Sequence, residues 1–339
     1  MIKLDGAVLE GGGQLLRTAV ALATITKNPC HIFNIRQGRE KPGLMPQHLL
    51  GIQALSRLCN GRLEGDYLGS KEIKFFPGEI TKEKISLSIG TAASLTLILQ
   101  SLIPPALFAL KPVEIHLDGG ATDTFFSPTL DHFRYVFLKI LEKMGGKIDI
   151  NILRRGYYPE GGAEVEIKIY PSKLKPINLT ERGSLEKIFA ISGASEFLKD
   201  KKVAERQLSG AREVLGKLKL PTEEKIEYYD TRCPGSQICL IAEFQNSIIG
   251  SDNLGRLGKP AEEVGKEAAL ELLKEQKSDA CLDKHLADQI PPYIALTPKS
   301  QITVSEITSH CKTNIWVIEK LLEGKFEAEN RLIQWTSEN

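Results

Sequence analysis

Hydrophobic and polar residues alternate in short segments of the first third of the chain and recur at helical spacing between them. Alternation predicts half-buried strands, here at 1–6, 30–36, 71–78 and 84–90. Helical spacing predicts helices at 11–26, 46–59 and 91–110. The last of these should stop at Pro104–Pro105, because proline removes a backbone donor. This order of elements is typical of an α/β protein.

A second round of the same pattern begins near residue 113. The LDG triplet at 117–119 echoes the triplet at 4–6, and each one ends a predicted strand and precedes a loop and a helix. Two more strands are predicted within 146–171. We interpret the repetition as an internal βαβ-type duplication.

The chain from about residue 183 is more charged and has its own β-α-β-β-α pattern, which ends in KEQKSD. We predict an inserted small α/β domain at 183–278, and a large domain at 1–182 that resumes at 279–339. The resumed part begins with the segment 285–296 and has a predicted helix at 313–324 and predicted strands at 300–307 and 331–338, the last at a sheet edge. The predicted fold class is α/β, or α+β where strands run antiparallel.

Composition narrows the class of partner. Of 339 residues, 42% are hydrophobic and 26% are charged, as in folded soluble proteins. With 44 Lys and Arg against 43 Asp and Glu, the net charge is +1, so the chain as a whole does not attract a nucleic-acid backbone. A nucleic-acid substrate would have to be held by a local cluster, at an end rather than along a duplex.

Cysteine spacing and the N-terminal sequence indicate the compartment. The six cysteines form no C-x-x-C pair, so neither a zinc site nor a redox dithiol is expected, and a reducing cytosol fits. The N-terminus has no apolar signal-like region, and no run approaches the roughly 18 apolar residues of a membrane span. We expect a cytoplasmic protein with no membrane partner; the sequence does not indicate its oligomeric state.

The run EGGGQLLR at 10–17 is a first candidate for chemistry. It is either a flexible turn before a helix or a set of bare amides at a helix start that binds an anion, with Arg17 nearby. In the second interpretation Glu10 requires a divalent cation between its carboxylate and a phosphate.

Cations cluster after the second predicted strand. Arg36, Arg39 and Lys41 precede a helix that opens with Gln47 and His48. A solvated charged loop and a phosphate clamp both fit this pattern.

Polar residues in apolar segments are further candidates. Tight packing of a buried helix explains the apolar residues of the segment 91–110 but not the polar side chain of Gln100. Asp288 and Gln289 lie in an apolar segment just before a pair of prolines. Asp288 could cap a helix, or bind a ribose hydroxyl or a metal-bound phosphate.

His310 lies between a predicted strand and a predicted helix, where Ser309 or Thr313 could cap the helix. Two roles for His310 remain open, a structural histidine with its hydrogen bonds satisfied and a nucleophile. The positive end of the helix dipole disfavours the protonated ring, and a nucleophilic imidazole must be neutral.

Taken in chain order, the motifs resemble those of one family, the RNA 3′-terminal phosphate cyclases. The matching stretches, from residue 4 to about 320, are LDGAVLEGGGQLLRTA, IRQGREKPGL with QH, IGTAASLTLILQ, GGATDTFFSP, GYYPEGGAEVE, HLADQ and SHCKTNIWVIE. Each motif alone is weak, whereas the ordered set is highly specific. The predicted inserted domain matches more loosely.

The resemblance implies repeated βαβαββ units, similar to the architecture of enolpyruvyl transferases, with a small α/β domain inserted before the last unit. It implies that ATP and a divalent cation, Mg²⁺ or Mn²⁺, convert an RNA 3′-phosphate end to a 2′,3′-cyclic phosphate, releasing AMP and pyrophosphate. The implied intermediates are a covalent histidine–AMP and an RNA(3′)pp(5′)A linkage.

The resemblance also implies site residues, with His310 as the histidine that takes AMP and Glu10 as a carboxylate near the metal. The residues implied to bind ATP are Gln100, Pro128, His285, Leu286, Ala287, Asp288 and Gln289. Those implied to handle the RNA phosphate are Arg17, Arg36, Gln47 and His48, to which the cationic cluster adds Arg39. One departure is His285, since an aromatic residue often stands there as an adenine platform and imidazole offers a smaller face.

Two other functions fit parts of the pattern. A cyclase-like ribosome-biogenesis factor of eukaryotes has the same fold without the histidine, and His310 argues against that non-catalytic role. Fold similarity alone would also allow an enolpyruvyl-type transferase, but a fold does not decide function and the ordered motifs favour the cyclase.

Overall fold

The computed structural model describes residues 1–216 and 221–338. Residues 217–220, at the end of a predicted helix of the inserted domain, and Asn339 lie outside the described residues. The described strands are β1 (Ile2–Asp5), β2 (Cys30–Phe33), β3 (Arg62–Glu64), β4 (Ile73–Phe76), β5 (Lys84–Ser94), β6 (Val113–Ala121), β7 (Lys147–Arg154), β8 (Glu164–Tyr170), β9 (Asn178–Leu179), β10 (Leu185–Ser195), β11 (Thr222–Tyr229), β12 (Ser236–Phe244), β13 (Ile248–Leu254), β14 (Lys299–Thr303), β15 (Gly324–Glu329) and β16 (Leu332–Ser337).

Helices connect most of these strands. The described α-helices are α1 (Gly13–Thr26), α2 (Pro46–Leu58), α3 (Leu95–Leu107), α4 (Leu130–His132), α5 (Leu138–Lys143), α6 (Val203–Leu215), α7 (Ala261–Lys277), α8 (Lys284–Gln289), α9 (Pro291–Ile294) and α10 (Ser309–Leu321). A π-helical turn, Phe133–Phe137, joins α4 to α5. None of the described helices is both long enough and apolar enough to cross a bilayer.

Three of the sheets share one strand order. They run β1-β2-β4-β3, β5-β6-β8-β7 and β9-β14-β16-β15. In each, the first two strands are parallel and the other neighbours are antiparallel. A parallel pair requires a crossover, which α1 and α3 supply in the first two sheets. The mixed α/β class predicted from the sequence is confirmed.

A fourth sheet, β11-β10-β12-β13, lies within the predicted inserted domain, and α6 and α7 pack on it. Its buried side chains, from Ile188 to Leu272, form a hydrophobic cluster separate from the main core. The predicted β-α-β-β-α pattern has one strand too few, because β12 and β13 form an antiparallel hairpin where the pattern counted a single strand. The domain boundaries at 183 and 278 stay a prediction.

Several element boundaries were wrong. Residues 91–94 belong to β5, and α3 begins after Ser94, whose Oγ accepts a hydrogen bond from the amide of Leu97. The helix does not stop at Pro104–Pro105 but continues to Leu107, so its last turns accommodate two residues that lack a backbone donor. The predicted edge strand at 331–338 is the interior strand β16, flanked by β14 and by β15.

The main core places the starts of two helices side by side. Helix α1 packs against both α3 and α10, with Leu15, Leu16, Ala19 and Val20 buried. The start of α1 therefore lies near the start of α10, although nearly three hundred residues separate them in sequence.

A buried ionic cluster joins the second sheet to the fourth. Arg155 donates to the carboxylates of Asp123, at 3.0 Å, and Asp131. Asp131 also accepts from Gln237 of β12 at 3.3 Å, and the guanidinium lies 4.7 Å from the ring centre of Tyr229 on β11. Arg155 and both carboxylates are almost fully buried, so each charge depends on its partners.

We expect Arg155→Leu to lower the free energy of unfolding by about 3–5 kcal/mol, because two buried carboxylates would lose their cation. Urea denaturation measures the loss. Arg62→Leu is the control, since Arg62 pairs with Glu64 at the surface, where such pairs contribute about 0–1 kcal/mol. Equal losses in the two variants would contradict this account.

Candidate active site

A cavity of about 620 Å³ lies where α1, α3, α8 and α10 meet. Parts of the chain that are remote in sequence contribute to its wall, because α1 packs between α3 and α10. The predicted site residues that line it are Arg17, Gln100, Pro128, His285, Asp288, Gln289 and His310. The structure thus brings together seven residues proposed from separate motifs.

His310 lies in the first turn of α10, one residue after the helix begins. The cap is Thr308, whose hydroxyl accepts from the amide of Cys311 at 3.0 Å. The expectation that Ser309 or Thr313 caps the helix was wrong, because Ser309 is already helical and the Thr313 hydroxyl donates to the Ser309 carbonyl. The imidazole is half-exposed and lines the cavity.

Cations surround His310 and favour its neutral form. Burial lowers its pKa, and the charges of Arg17, Arg39 and His285 lower it further. The Glu10 carboxylate lies 3.5 Å from Nδ1 of His310, but Arg39 forms an ion pair with the same carboxylate and offsets its charge.

Glu10 lies at the back of this site with its side chain 11% exposed. Its Oε2 has no hydrogen-bond partner among the described residues. Gly12 allows this placement, because a Cβ at that position would overlap the Glu10 carboxylate. The glycine run at 11–13 is therefore needed for close approach, and Glu10 is an oxygen donor suited to Mg²⁺ or Mn²⁺.

A divalent cation would find one carboxylate here rather than a protein cage. The described residues contain no group of three or more His, Cys, Asp or Glu side chains arranged to hold a metal. Glu10 Oε2, which has Nδ1 of His310 as its ionic neighbour at 3.5 Å, fits a cation that receives its other ligands from phosphate oxygens and water, as Mg²⁺ usually does.

Arg17 and Lys284 are cationic residues that line the cavity, and Arg17 is the one predicted from the sequence. Burial lowers its pKa to about 10, so it keeps its charge at neutral pH. Its Nε donates to Oε1 of Gln100 on α3 at 3.0 Å, which fixes the guanidinium. The terminal nitrogens remain for an anion, and bidentate contact with phosphate is the geometry that arginine favours.

Asp288 connects three helices at the cavity wall. Its carbonyl accepts from Nε2 of Gln14 at 2.7 Å and from Nδ2 of Asn314 at 2.6 Å, and its carboxylate accepts from the hydroxyl of Thr308. Burial raises the pKa of Asp288 to about 6, against the opposing effect of the Thr308 hydrogen bond.

His48 packs beside the glycine run rather than in the cavity. A Cβ at Gly13 would overlap its Nε2, and its Nδ1 accepts from the amide of Met45 at 3.3 Å. Burial, with the charges of Arg17 and Arg36, lowers the pKa of His48 to about 3. A neutral His48 could meet a phosphate only as a hydrogen-bond donor and not as a cation, and such a contact stays a prediction.

The remaining predicted phosphate ligands lie outside the cavity lining. The Arg36 guanidinium donates to the carbonyls of Lys41 and Gly43, at 2.6 Å and 3.2 Å, and so holds its own loop. Gln47 is half-buried in the first turn of α2. Their contact with RNA phosphate stays a prediction.

The side chains of the predicted nucleotide-binding segment 285–289 point in two directions. His285, Asp288 and Gln289 face the cavity, whereas Leu286 and Ala287 are fully buried in the core. Side chains one and two residues after His285 point away from it because the strip is helical. Any nucleotide contact of Leu286 and Ala287 would have to come from their backbone.

Sequence reasoning missed several polar residues that shape the site, among them Gln14, Thr308 and Asn314. Gln14 lines the cavity, and Thr308 and Asn314 anchor α10 to Asp288. Gln14 directly follows the glycine run and Thr308 directly precedes the Ser309–His310 pair, so their positions next to these motifs were the available signal.

Comparison with known proteins gives one family. The family model described as RNA 3′-terminal phosphate cyclase matches residues 8–328. Proteins named RNA 3′-terminal phosphate cyclase from Pyrococcus abyssi and Pyrococcus furiosus are each 45% identical, over 98% and 97% of this chain and 96% and 95% of theirs. One of the same name from Caldivirga maquilingensis is 42% identical over 97% of this chain and 95% of its own. The chain belongs to the RNA 3′-terminal phosphate cyclase family.

Proposed function

We propose that this protein uses ATP to convert an RNA 3′-terminal phosphate to a 2′,3′-cyclic phosphate, with His310 carrying AMP as a covalent intermediate. Family membership supports the overall reaction. The observation that carries the mechanism is the half-exposed imidazole at the start of α10, whose pKa is lowered by burial and by nearby cations, in a cavity that Arg17 also lines.

His310 has one ring nitrogen free to react. Its Nδ1 faces the Glu10 carboxylate, which favours a proton on Nδ1 and leaves the lone pair on Nε2. In our proposal Nε2 attacks the α-phosphorus of ATP, the bond to the β-phosphate oxygen breaks, and pyrophosphate leaves. Arg17 and Arg39 would stabilise negative charge on the phosphates during this step.

Glu10 would hold the divalent cation. A bound Mg²⁺ or Mn²⁺ supplies Lewis acidity and neutralises charge on phosphate oxygens. The chain itself holds the carboxylate in place by the Arg39 ion pair and by the hydrogen bond from the Glu10 amide to Oγ1 of Thr313, at 3.3 Å.

RNA then takes AMP from the histidine. A 3′-phosphate oxygen attacks the phosphorus of His310–AMP, the P–N bond breaks, and RNA(3′)pp(5′)A forms. The 2′-hydroxyl next attacks the 3′-phosphate and expels AMP. Because this ring closure is intramolecular, proximity could contribute about 7–11 kcal/mol to lowering its barrier.

The nucleotide would lie between Pro128 and His285, with Gln100, Asp288 and Gln289 as polar contacts. All five line the cavity that contains His310. The likeness of the repeated units to enolpyruvyl transferases and a cytoplasmic location also remain predictions. A non-catalytic role in RNA processing is the alternative, and the position of His310 in the cavity favours catalysis.

His310→Ala should abolish transfer of AMP to the protein and cyclisation of RNA, because no nucleophile would remain. Incubation with α-labelled ATP and Mg²⁺, followed by denaturing gel electrophoresis, measures the transfer. The label on the parent should be acid-labile and base-stable. His116→Ala is the control, since His116 lies on β6 beside Glu164; covalent labelling of the His310 variant would overturn the proposal.

Gly13→Ala should reduce both stability and cyclisation, because the new methyl group overlaps the buried His48 ring. Overpacking of this kind costs about 1–3 kcal/mol. Urea denaturation should show that Gly13→Ala with His48→Ala regains stability. Gly90→Ala is the matched control, since a Cβ there meets nothing within 4 Å. Parental behaviour of Gly13→Ala would exclude the close approach.

Asp288→Asn should change how stability depends on pH. The raised pKa of Asp288, about 6, means that the folded state holds a proton which the unfolded chain releases near pH 4. The parent should therefore lose stability as pH rises from about 4 to 6, by up to about 3 kcal/mol. The free energy of unfolding of the variant minus that of the parent should rise from about pH 4 to 6 and then stay constant. A difference that does not change with pH would contradict the burial of this carboxyl group.

A further inference from the structure

Phe126 is a fully exposed aromatic residue at the edge of the cavity. Its backbone φ is +63°, in the left-handed region that residues other than Gly, Asn and Asp rarely adopt. The backbone is therefore held in a costly conformation that presents a large apolar ring to water. Such conformations cluster at functional sites.

The neighbouring residue Phe125 belongs to a small cluster of aromatic and cationic groups. The ring of Phe125 meets that of Tyr158 edge to face, with 6.1 Å between centroids. The Arg256 guanidinium lies 4.9 Å from the Phe125 centroid, and Arg256 has no ion-pair partner within 4.0 Å in the described part of the chain. Leu257, next to it, is fully exposed.

The cavity connects this patch to the reactive histidine. Phe126 and Pro128 line the same cavity as Arg17 and His310. Thr129, one residue further, is fixed by a hydrogen bond from its amide to Asp252, at 2.7 Å. The loop that carries Phe126 is therefore anchored beside it, while the ring itself stays free.

We propose that Phe126, supported by Phe125, Tyr158 and Arg256, is a stacking platform for a nucleobase at the 3′ end of the RNA substrate. This inference rests on the proposed function, which requires an RNA end to reach His310. Any base can stack on an aromatic face, and an adjacent arginine can contact phosphate or stack as well. The platform would bind RNA ends without reading their sequence.

The chemistry of the patch favours RNA over a protein partner. A stable protein interface usually removes about 800 Å² of surface on each side, whereas this patch is a few side chains at a cavity mouth. A guanidinium over the partly exposed ring of Phe125, close in sequence to the exposed ring of Phe126, suits a base and its phosphate. The platform also explains how a chain of net charge +1 could hold RNA without a long basic groove.

Phe126→Ala should raise the KM for a 3′-phosphorylated oligoribonucleotide roughly 5- to 150-fold, the range that loss of one stacked base implies. Transfer of AMP to His310 in the absence of RNA should match that of the parent. Phe126→Trp should keep the parental KM for RNA. Leu110→Ala is the matched control, because it removes an exposed apolar side chain from the loop between α3 and β6.

A substrate lacking its terminal or penultimate base gives the second arm. Removing the stacked base should raise the parent's KM by a similar factor and have little further effect on Phe126→Ala, as expected for two halves of one contact. If removal of either base raised the KM of Phe126→Ala by the same factor as that of the parent, the two changes would be independent and the platform would be overturned. So would an unchanged KM for RNA in Phe126→Ala, or an equal rise in its KM for ATP without RNA, which would assign Phe126 to the ATP base.

Failure of the platform and failure of the proposed function are distinguishable. Fluorescence anisotropy of labelled RNA measures binding without any AMP transfer. If the parent takes no label from ATP, the proposed reaction fails, while weaker RNA binding by Phe126→Ala would still support the platform. If the parent is labelled and both proteins bind RNA equally, the platform alone fails.

Discussion

The geometry of the site depends on hydrogen bonds that fasten α10 to α1 and α8. The carbonyl of Asp288 accepts from Gln14 and Asn314, and Asn314 in turn accepts from the hydroxyl of Thr18 at 2.7 Å. The Asp288 carboxylate holds Thr308, which caps α10. The bond from Thr18 to Asn314 is buried and the others are partly buried, so loss of a partner would leave a poorly solvated polar group. His310 sits on the turn that they fix.

The second constraint is electrostatic. The chain is almost neutral, with a net charge of +1, yet Arg17 and Arg39 both act on His310 and keep its pKa low. Glu10 offsets part of this charge without cancelling it, since its carboxylate is paired with Arg39. The fixed guanidinium groups thus have two effects, since their charge adds to partial burial in lowering the pKa of the half-exposed imidazole and also provides cations for phosphate groups.

The fourth sheet also takes part in the cavity. Asp252 of β13 lines it and accepts from the amide of Thr129, next to Pro128. His132 lies under this wall, with its ring edge-on to His285 at 6.2 Å and Nε2 3.7 Å from Asp283. The wall around Pro128 and His285 therefore combines elements from the second sheet, the fourth sheet and α8, and the buried Arg155 cluster ties the second and fourth sheets together.

The sequence by itself determined the local elements, because apolar periodicity within α1, α2 and β1 reports which face of each is buried. It also made His310, Arg17 and Asp288 candidate site residues, since their motifs stand in a family-specific order. Only the tertiary structure decided which of these side chains share a cavity. Leu286 and Ala287 belong to the same motif as Asp288 yet point into the core, and β16 became an interior strand because β15 pairs with its outer side. The bond from Gln14 to Asp288 joins residues 274 positions apart. Contacts over such separations arise from packing, and no local pattern records them.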